Sequence, residues 1–311
     1  MFLTDKYHAL LPFHADHRRR AGKAVSKPAA GGPESARFGV ALAARLRSLL
    51  PLPASPLAAL ARLADLLALT LADAVPALTG EGDAAAVTAH LDAGVALLDA
   101  CNAITARLDR LRRRRLLSRF ALHLLSSSPP PSSVRRARAA LADRDECAPA
   151  SPPPPLPSLP FDQPSGRLSG AASVLLAVDA VSSLAAAAAA AVLCGEALQI
   201  VFPLVSGDFP WTEAFNAVSI QLAALATKAG EVDAVDEAVR KLTSVLDSEG
   251  DLDEAALRAA AQEVEKRTEE LTAPLDRLSD AVNGVFRAAL CLRNAELGSI
   301  MVGPAEKTSC K

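Results

Sequence analysis

The sequence contains few aromatic residues: only 4% of its 311 residues are Phe, Trp or Tyr, with a single Trp and a single Tyr. Strands are enriched in aromatic and β-branched residues, so a chain without that enrichment argues against a large sheet. Ala, with 66 copies, and Leu dominate instead, and both are strong helix formers. The composition therefore predicts an all-α protein.

Paired cysteines are also lacking. The five Cys residues are widely separated, their number is odd, and none forms a CxxC pair. The first 30 residues have no apolar stretch of the kind that secretory signals contain. This pattern predicts a reduced intracellular compartment, with the cytoplasm favoured. Because the same 30 residues are basic and include several Ala, a plastid location is the minor alternative.

Sequence motifs of catalysis and cofactor binding are absent. There is no GxxxxGK[ST] phosphate loop, and no GxGxxG opens a helix after a strand. His14 and His17 have metal-ligand spacing, but they lie in a basic tail without Cys or carboxylate neighbours. We interpret His90 and His123 as satisfied or surface histidines of helices. The sequence thus predicts a non-enzymatic protein without cofactor or metal.

Long hydrophobic runs are limited to one stretch, residues 171–205. Between Asp179 and Glu196 it has 16 uncharged residues, which as a helix span about 24 Å, less than the roughly 30 Å of a bilayer core. Extending the window includes Glu196, and the cost of that charge nearly balances the gain from the apolar residues. We therefore favour a buried helix, with a marginal membrane span as the alternative.

Proline divides the chain into two helical parts. Eleven of the 22 prolines lie between Pro129 and Pro164, where they favour extended geometry over helix. One short basic helix around residues 134–143 is compatible with this segment. The predicted segments are a disordered basic N-terminal tail over 1–33, N-terminal helices over 34–127, a Pro/Ser-rich linker over 128–166, C-terminal helices over 167–298 that pack on the N-terminal ones, and a flexible tail over 299–311.

Apolar residues at steps of three or four predict a helix over 83–126, long enough that a break near Arg112 is an alternative. Ser55 followed by Pro56 marks another helix start. After the linker the pattern predicts helices over 167–202, 210–230, 231–247, 251–271 and 274–297, with Asp251 capping the fourth. The predicted fold is an elongated multi-helix bundle with one very long helix and a Pro-rich disordered insert.

Charge is unevenly distributed along the chain. Residues 1–150 carry 21 Lys and Arg against 13 Asp and Glu, and residues 151–311 carry 12 against 22. The densest basic run is Arg112, Arg113, Arg114 and Arg115. We interpret it as a helix surface that complements the negative charge of the acidic second half. Contact with an anionic membrane surface is the alternative. Nucleic acid is not an expected partner, because no aromatic residues are interleaved for stacking.

Two motifs resemble those of a known plant family. Leu97-Leu-Asp-Ala-Cys-Asn-Ala103 resembles the Leu-Leu-Asp-x-Cys-Asn-Ala hallmark of BYPASS proteins, and Phe209-Pro-Trp-x-x-x-Phe215 resembles their Pro-Trp motif. The segment Val40–Pro51 is similar to the family's N-terminal helix, and the whole resemblance spans about residues 38–297. Its fold-motif residues in this sequence are Asp99, Cys101, Asn102, Pro210 and Trp211.

The resemblance implies a non-enzymatic regulator of root and shoot development, linked to restraining a root-derived mobile signal that arrests shoot growth. It supplies no molecular mechanism and no identified partner; we expect contacts with a protein that the sequence does not identify. Two readings of the motifs stay open. Cys101 and Asn102 either fix helix packing through a buried hydrogen bond or contact a ligand, and Trp211 either docks its helix or forms an exposed patch.

Overall fold

Eight α-helices and no β-strand make up the part of the chain that the structure describes. The structure is a computed structural model, and it describes residues 33–78, 84–126, 130–146, 156–194 except 160, 165 and 167, 200–248 and 253–301. The helices are α1 (Pro33–Leu49), α2 (Pro56–Leu78), α3 (Ala84–Leu124), α4 (Pro131–Glu146), α5 (Gly170–Cys194), α6 (Thr212–Ala226), α7 (Glu231–Asp247) and α8 (Glu254–Met301). The prediction of an all-α helical fold is confirmed.

Helix α2 lies at the centre of the packing. It contacts α8 most extensively, and α5 and α1 cover its other sides. Helix α3 packs on α8, α4 and α5, and α7 packs on α8. All described residues belong to one compact unit that extends from Gly31 to Lys311. The predicted tails at residues 1–32 and 302–311, and residues 147–155 of the predicted insert, lie outside the described residues.

Two helix starts show how local capping operates. The Ser55 hydroxyl accepts a hydrogen bond from the backbone N–H of Ala58 at 3.0 Å, so the predicted cap of α2 is confirmed. Asp251, the cap predicted for the last part of the chain, lies outside the described residues; in the described part Asp253 Oδ1 accepts from the N–H groups of Ala255 and Ala256. A carboxylate two residues later thus begins α8.

The last two predicted helices, over 251–271 and 274–297, are one helix, α8, with Pro274 inside it. Proline costs about 3 kcal/mol in a helix interior, because it removes one N–H and crowds the preceding turn. Buried Leu271, Leu275 and Leu278 keep the same apolar stripe in phase across the proline. Packing of this stripe in the core offsets the local cost, so α8 is a second very long helix, beside α3, in the part of the chain that the structure describes.

Helix α3 continues through the arginine run, and no break occurs at Arg112. The first part of the predicted linker is also more ordered than a spacer. Its helix α4 buries Ala137, Ala140, Leu141 and Arg144, which share one face, and it packs on α3 and α7. The short basic helix that the sequence allowed is therefore part of the bundle, since it has a periodic apolar face to bury.

Helix α5 contains the stretch that raised the membrane question. Of the helices that the structure describes, α5 alone is both long enough and apolar enough to cross a bilayer. In its most apolar window, 78% of the residues are buried inside the protein. Val174, Val178, Val181 and Leu184 are all buried. Its apolar surface is thus covered by α2, α3, α1 and α6. This packing agrees with the predicted buried helix.

Candidate functional site

The three residues of the Asp-x-Cys-Asn motif have different surroundings on α3. Cys101 is buried, with 4% exposure, whereas Asp99 and Asn102 are exposed. The buried hydrogen bond expected from Asn102 is therefore a wrong prediction, because its amide faces outward. The Cys101 thiol lies beside a small cavity of about 30 Å³ with Ser182 and Leu278. Burial raises its pKa to about 11, which suppresses the reactive thiolate.

Trp211 is fully enclosed at the start of α6, with 1% exposure. Its ring stacks on Phe209 at a centroid distance of 5.4 Å and meets Phe215 edge-on at 5.7 Å. Gly39 of α1 approaches this cluster closely: a Cβ there would lie 3.7 Å from Trp211 Cδ1 and 3.6 Å from Pro210 Cγ. The geometry supports the docking interpretation, in which the motif anchors α6 against α1.

The helix containing this cluster begins later than predicted. Helix α6 starts at Thr212, and Trp211 is its N-cap residue without a side-chain cap hydrogen bond. Asp208, predicted to be the cap, is exposed and precedes a turn in which the N–H of Thr212 donates to the carbonyl of Phe209. At the N-terminus of α6, the buried Trp211 indole therefore occupies the position where a capping side chain would otherwise lie.

The arginine run divides between the bundle and the surface. Arg112 contacts Asp109 at 3.1 Å and Asp276 at 3.4 Å, and Arg114 makes a two-pronged contact with Asp236 at 2.9 and 3.0 Å. Arg113 is exposed. Four consecutive helix positions point in different directions, so such a division is expected.

One carboxylate joins two arginines of the basic half. Asp236 of α7 contacts both Arg114 of α3 and Arg144 of α4, and Arg144 is only 3% exposed. Further pairs join Arg119 to Glu269 and Arg138 to Asp247. The basic first half and the acidic second half thus meet within the bundle, as the charge distribution indicates.

A second polar cluster lies where α3, α5 and α8 meet. His90 Nδ1 lies 2.9 Å from Asp179 Oδ1, and His90 Nε2 lies 3.5 Å from Glu296 Oε1. The side chains of His90 and Glu296 are 5% and 1% exposed, and that of Asp179 is 34% exposed. Nearby, Arg293 donates to the backbone carbonyl of Leu91 at 3.1 Å. We call these residues, His90, Asp179, Arg293 and Glu296, the histidine cluster.

Two members of the cluster, His90 and Glu296, are shifted toward protonation. Burial alone would lower the pKa of His90, but the hydrogen bond and charge of Asp179 and the charge of Glu296 outweigh it, so the pKa is raised above 6.5. Burial raises the pKa of Glu296, and nearby Asp179 adds to the rise against the opposing His90 and Arg293. An imidazolium between two carboxyl groups is the charge state that this geometry favours.

The cluster borders a cavity of about 310 Å³. Leu71, Leu97, Leu159 and Val178 supply apolar wall, and Ser182 and Asp92 add polar groups. Because both nitrogens of His90 face carboxylates, the ring has no unoccupied lone pair to activate the Ser182 hydroxyl as a nucleophile. The arrangement can therefore hold a molecule, whereas it does not resemble an acyl-transfer centre.

Sequence reasoning missed this site. His90 was interpreted as an ordinary helical histidine, and Asp179 served only as the boundary of an apolar run. The sequence did contain one signal for the site, which is a charged residue, Asp179, inside the very apolar 25-residue helix α5. Because burying a carboxylate is costly unless it has a partner, this aspartate indicates a polar partner on another element. The partners themselves are 89 residues before it and 117 residues after it, and only the fold brings them together.

No group of three or more His, Cys, Asp and Glu side chains is arranged to hold a metal ion within the described ranges. The histidine cluster does not form such a group either. Each of its carboxyl groups faces the imidazole, so the lone pairs do not converge on a common point at coordination distance.

The comparisons with known proteins give one informative similarity. The chain is 27% identical over 235 residues to "Protein BPS1, chloroplastic" of Arabidopsis thaliana. The alignment covers 69% of this chain and 66% of the relative, just under two thirds of that protein's length. No protein-family model matches the chain, and no solved structure matches it. The resemblance to the BYPASS proteins that the helix motifs indicate is therefore confirmed by an independent sequence similarity.

Proposed function

We propose that this chain is a non-enzymatic regulator of root and shoot development, and that it restrains a root-derived mobile signal that arrests shoot growth. The observation that carries the proposal is the similarity to the BPS1 protein, together with the two motifs. The enclosed Cys101 and Trp211 support it as fold residues of such a protein. A bundle in which these residues pack rather than react suits a protein that works by binding.

The test is genetic. Disruption of the gene should arrest shoot growth, and grafting a mutant root under a normal shoot should arrest that shoot as well. Re-expression of the chain in the root alone should restore growth. Normal shoots in the disrupted plant, or arrest that does not cross the graft, would contradict the proposal.

The regulator is proposed to act through contacts with a protein partner, and α3 offers a surface for them. Arg113, Leu116 and Phe120 are exposed and lie three or four residues apart, on one face of the helix. Leu116 is 60% exposed, and Arg136 of α4 lies 6.0 Å from the Phe120 ring centroid. Apolar side chains flanked by arginine are typical of interaction surfaces.

Proximity labelling in plant tissue would test this surface. Leu116→Asp should remove specific partners from the labelled set, while Val40→Asp, a change at an equally exposed apolar residue of α1, should keep them. Identical partner sets for the two variants would show that this face of α3 is not the contact.

The alternative is a peripheral or integral membrane component, supported by the composition of α5 and by exposed Arg113 in the basic run. Washing membranes with alkaline carbonate separates the two forms: a peripheral protein is released and an integral one stays in the pellet. We expect release, because most of the apolar surface of α5 is already buried in the bundle. Binding to phosphatidylserine vesicles that Arg113→Ala weakens would support an anionic surface contact.

The proposed location is the cytoplasm, with the plastid as the alternative that the relative's name, "chloroplastic", raises. Fluorescent fusions of the full chain and of a form lacking residues 1–33 distinguish the two. A plastid signal that disappears in the shortened form would identify the basic tail as a transit peptide.

A further inference from the structure

The cavity beside the histidine cluster has the features of a small-molecule site. At about 310 Å³, it reaches the lower end of the roughly 300–1,000 Å³ that ligand pockets occupy. Its walls come from α2, α3, α5, α8 and the segment before α5. Most of these walls are apolar, and the polar side chains come from α3, α5 and α8.

The segment before α5 closes one wall of the cavity. The Ser183 hydroxyl donates to the backbone carbonyl of Leu159 at 2.8 Å, which fixes Leu159 where its side chain lines the cavity. This part of the Pro-rich segment therefore contributes directly to the site.

A buried hydroxyl provides the second, independent indication of a ligand. Ser182 of α5 is 6% exposed and lines the cavity, and its Oγ has no hydrogen-bond partner among the described residues. A buried hydroxyl without a partner costs free energy. It would gain a partner from a polar ligand in the cavity.

The charge of the lining selects the class of ligand. Three carboxyl groups, those of Asp92, Asp179 and Glu296, border the cavity together with one guanidinium and one imidazole. The side chains of His90 and Glu296 are only 5% and 1% exposed, so the more exposed charges of the lining are the carboxylates of Asp92 and Asp179 and the guanidinium of Arg293, with one negative charge in excess. Arg293 donates to the carbonyl of Leu91, a neutral group that leaves its positive charge in place. Asp179 meets His90 through Oδ1, and its side chain stays 34% exposed three residues before Ser182.

We propose that this cavity binds a small organic cation, an amine whose ammonium group lies against Asp179 and Ser182 and whose apolar body lies against Leu97 and Val178. The ammonium donates to the Asp179 carboxylate and to Ser182 Oγ, and the leucine and valine side chains cover the rest of the molecule. This inference goes beyond the developmental role and does not rest on it.

Isothermal titration of the full chain with three probes of similar shape would test the ligand class. The probes are phenethylamine, phenylacetate and 2-phenylethanol, which are cationic, anionic and neutral. Phenethylamine should bind saturably and raise the unfolding temperature, and the other two should bind at least tenfold more weakly. Equal binding of all three, tighter binding of phenylacetate, or no saturable binding of the amine would overturn the proposal.

Variants locate the amine within the cavity. Asp179→Asn should weaken phenethylamine binding at least tenfold, and Asp99→Asn, an exposed change on α3 that does not border the cavity, should leave it unchanged. If Asp179→Asn fails to fold, Asp92→Asn at the exposed rim should still weaken binding severalfold. If Asp99→Asn and Asp179→Asn lose the same affinity for phenethylamine, the amine binds elsewhere. The same conclusion follows if Asp179→Asn does not fold and Asp92→Asn binds the amine as tightly as the unchanged protein.

Discussion

At the scale of single residues, the structure explains why one tryptophan can matter in a chain poor in aromatics. Trp211 fills the space between Phe209, Phe215 and α1. Aromatic pairs at such distances contribute about 0.5–1.5 kcal/mol beyond the area they bury. The Pro-Trp motif therefore acts as an anchor, and its effect is on the stability of the fold.

Truncation of this anchor should be costly. We expect Trp211→Ala to lower the free energy of unfolding by about 3–5 kcal/mol, because it leaves a large cavity in the core. Phe120→Ala, at a ring that is 44% exposed, serves as the control and should change stability far less. Urea unfolding measures both variants. A native tryptophan emission maximum already at the unfolded position would contradict the enclosed indole.

Cysteine reactivity is the second prediction at this scale. Cys101 should react slowly with a maleimide in the native protein, because the thiol is buried and its pKa is raised to about 11. Cys291 is an exposed free cysteine on α8 and should label before Cys101. Mass spectrometry of peptides from a time course separates the two sites. Labelling of Cys101 as fast as Cys291 would favour the ligand-contact interpretation of the motif.

At the scale of helices, the chain shows where local signals suffice and where they do not. The cap at Ser55 is a short-range feature, so the sequence alone predicts it. The end of a helix at Pro274 is equally local, but it is overridden because Leu271, Leu275 and Leu278 remain in phase. Helix packing is decided by burial over the whole length of α8, and no window around the proline contains that information.

The same distinction holds for the candidate site. Spacing along α3 places Cys101 on the apolar stripe, as predicted, and it also places Asn102 at the edge, where the fold leaves it exposed. The pairing of His90 with Asp179 and Glu296 depends on three helices meeting at one height. A single sequence shows the residues but not this meeting, so the site emerges only from the structure.

Ion pairs between helices give a prediction at this scale. Asp236→Asn should destabilise the protein by about 1–3 kcal/mol, since it removes a carboxylate that faces the buried Arg144. Glu269→Gln disturbs an exposed pair with Arg119 and should cost no more than about 1 kcal/mol. Thermal unfolding of the two variants in parallel makes the comparison. Similar small effects would mean that Asp236 is not needed to hold α4 on the bundle.

At the scale of the whole molecule, the histidine cluster links stability to pH. A histidine whose pKa is raised on folding stabilises the protein fully below its unfolded value of about 6.5, and that contribution is lost as the pH rises through the folded pKa. The raised pKa of Glu296 acts in the same direction, because the folded state holds its proton to higher pH. Asp179 of α5 and Glu296 of α8 face the ring, and Arg293 of α8 acts on Glu296 through its charge.

We therefore expect the unfolding temperature to fall as the pH rises above about 6.5, the ordinary pKa of histidine. His90→Gln should flatten this part of the profile, and His123→Gln, at an exposed histidine on the same helix, should leave it unchanged. Differential scanning calorimetry across the range gives the profile. A slope that persists in His90→Gln would assign the pH dependence to other groups.

The position of Asp179 within α5 has a consequence for the two proposed modes of action. The helix is apolar enough for lipid, but its central carboxylate is paired with His90 on another helix. Leaving the bundle would strip that partner away, and a charge at the centre of a bilayer costs about 2.5–3.5 kcal/mol. Asp179 thus keeps α5, a helix otherwise apolar enough for lipid, in the interior of the protein. Transfer of α5 into a bilayer would require another partner for the charge of this aspartate.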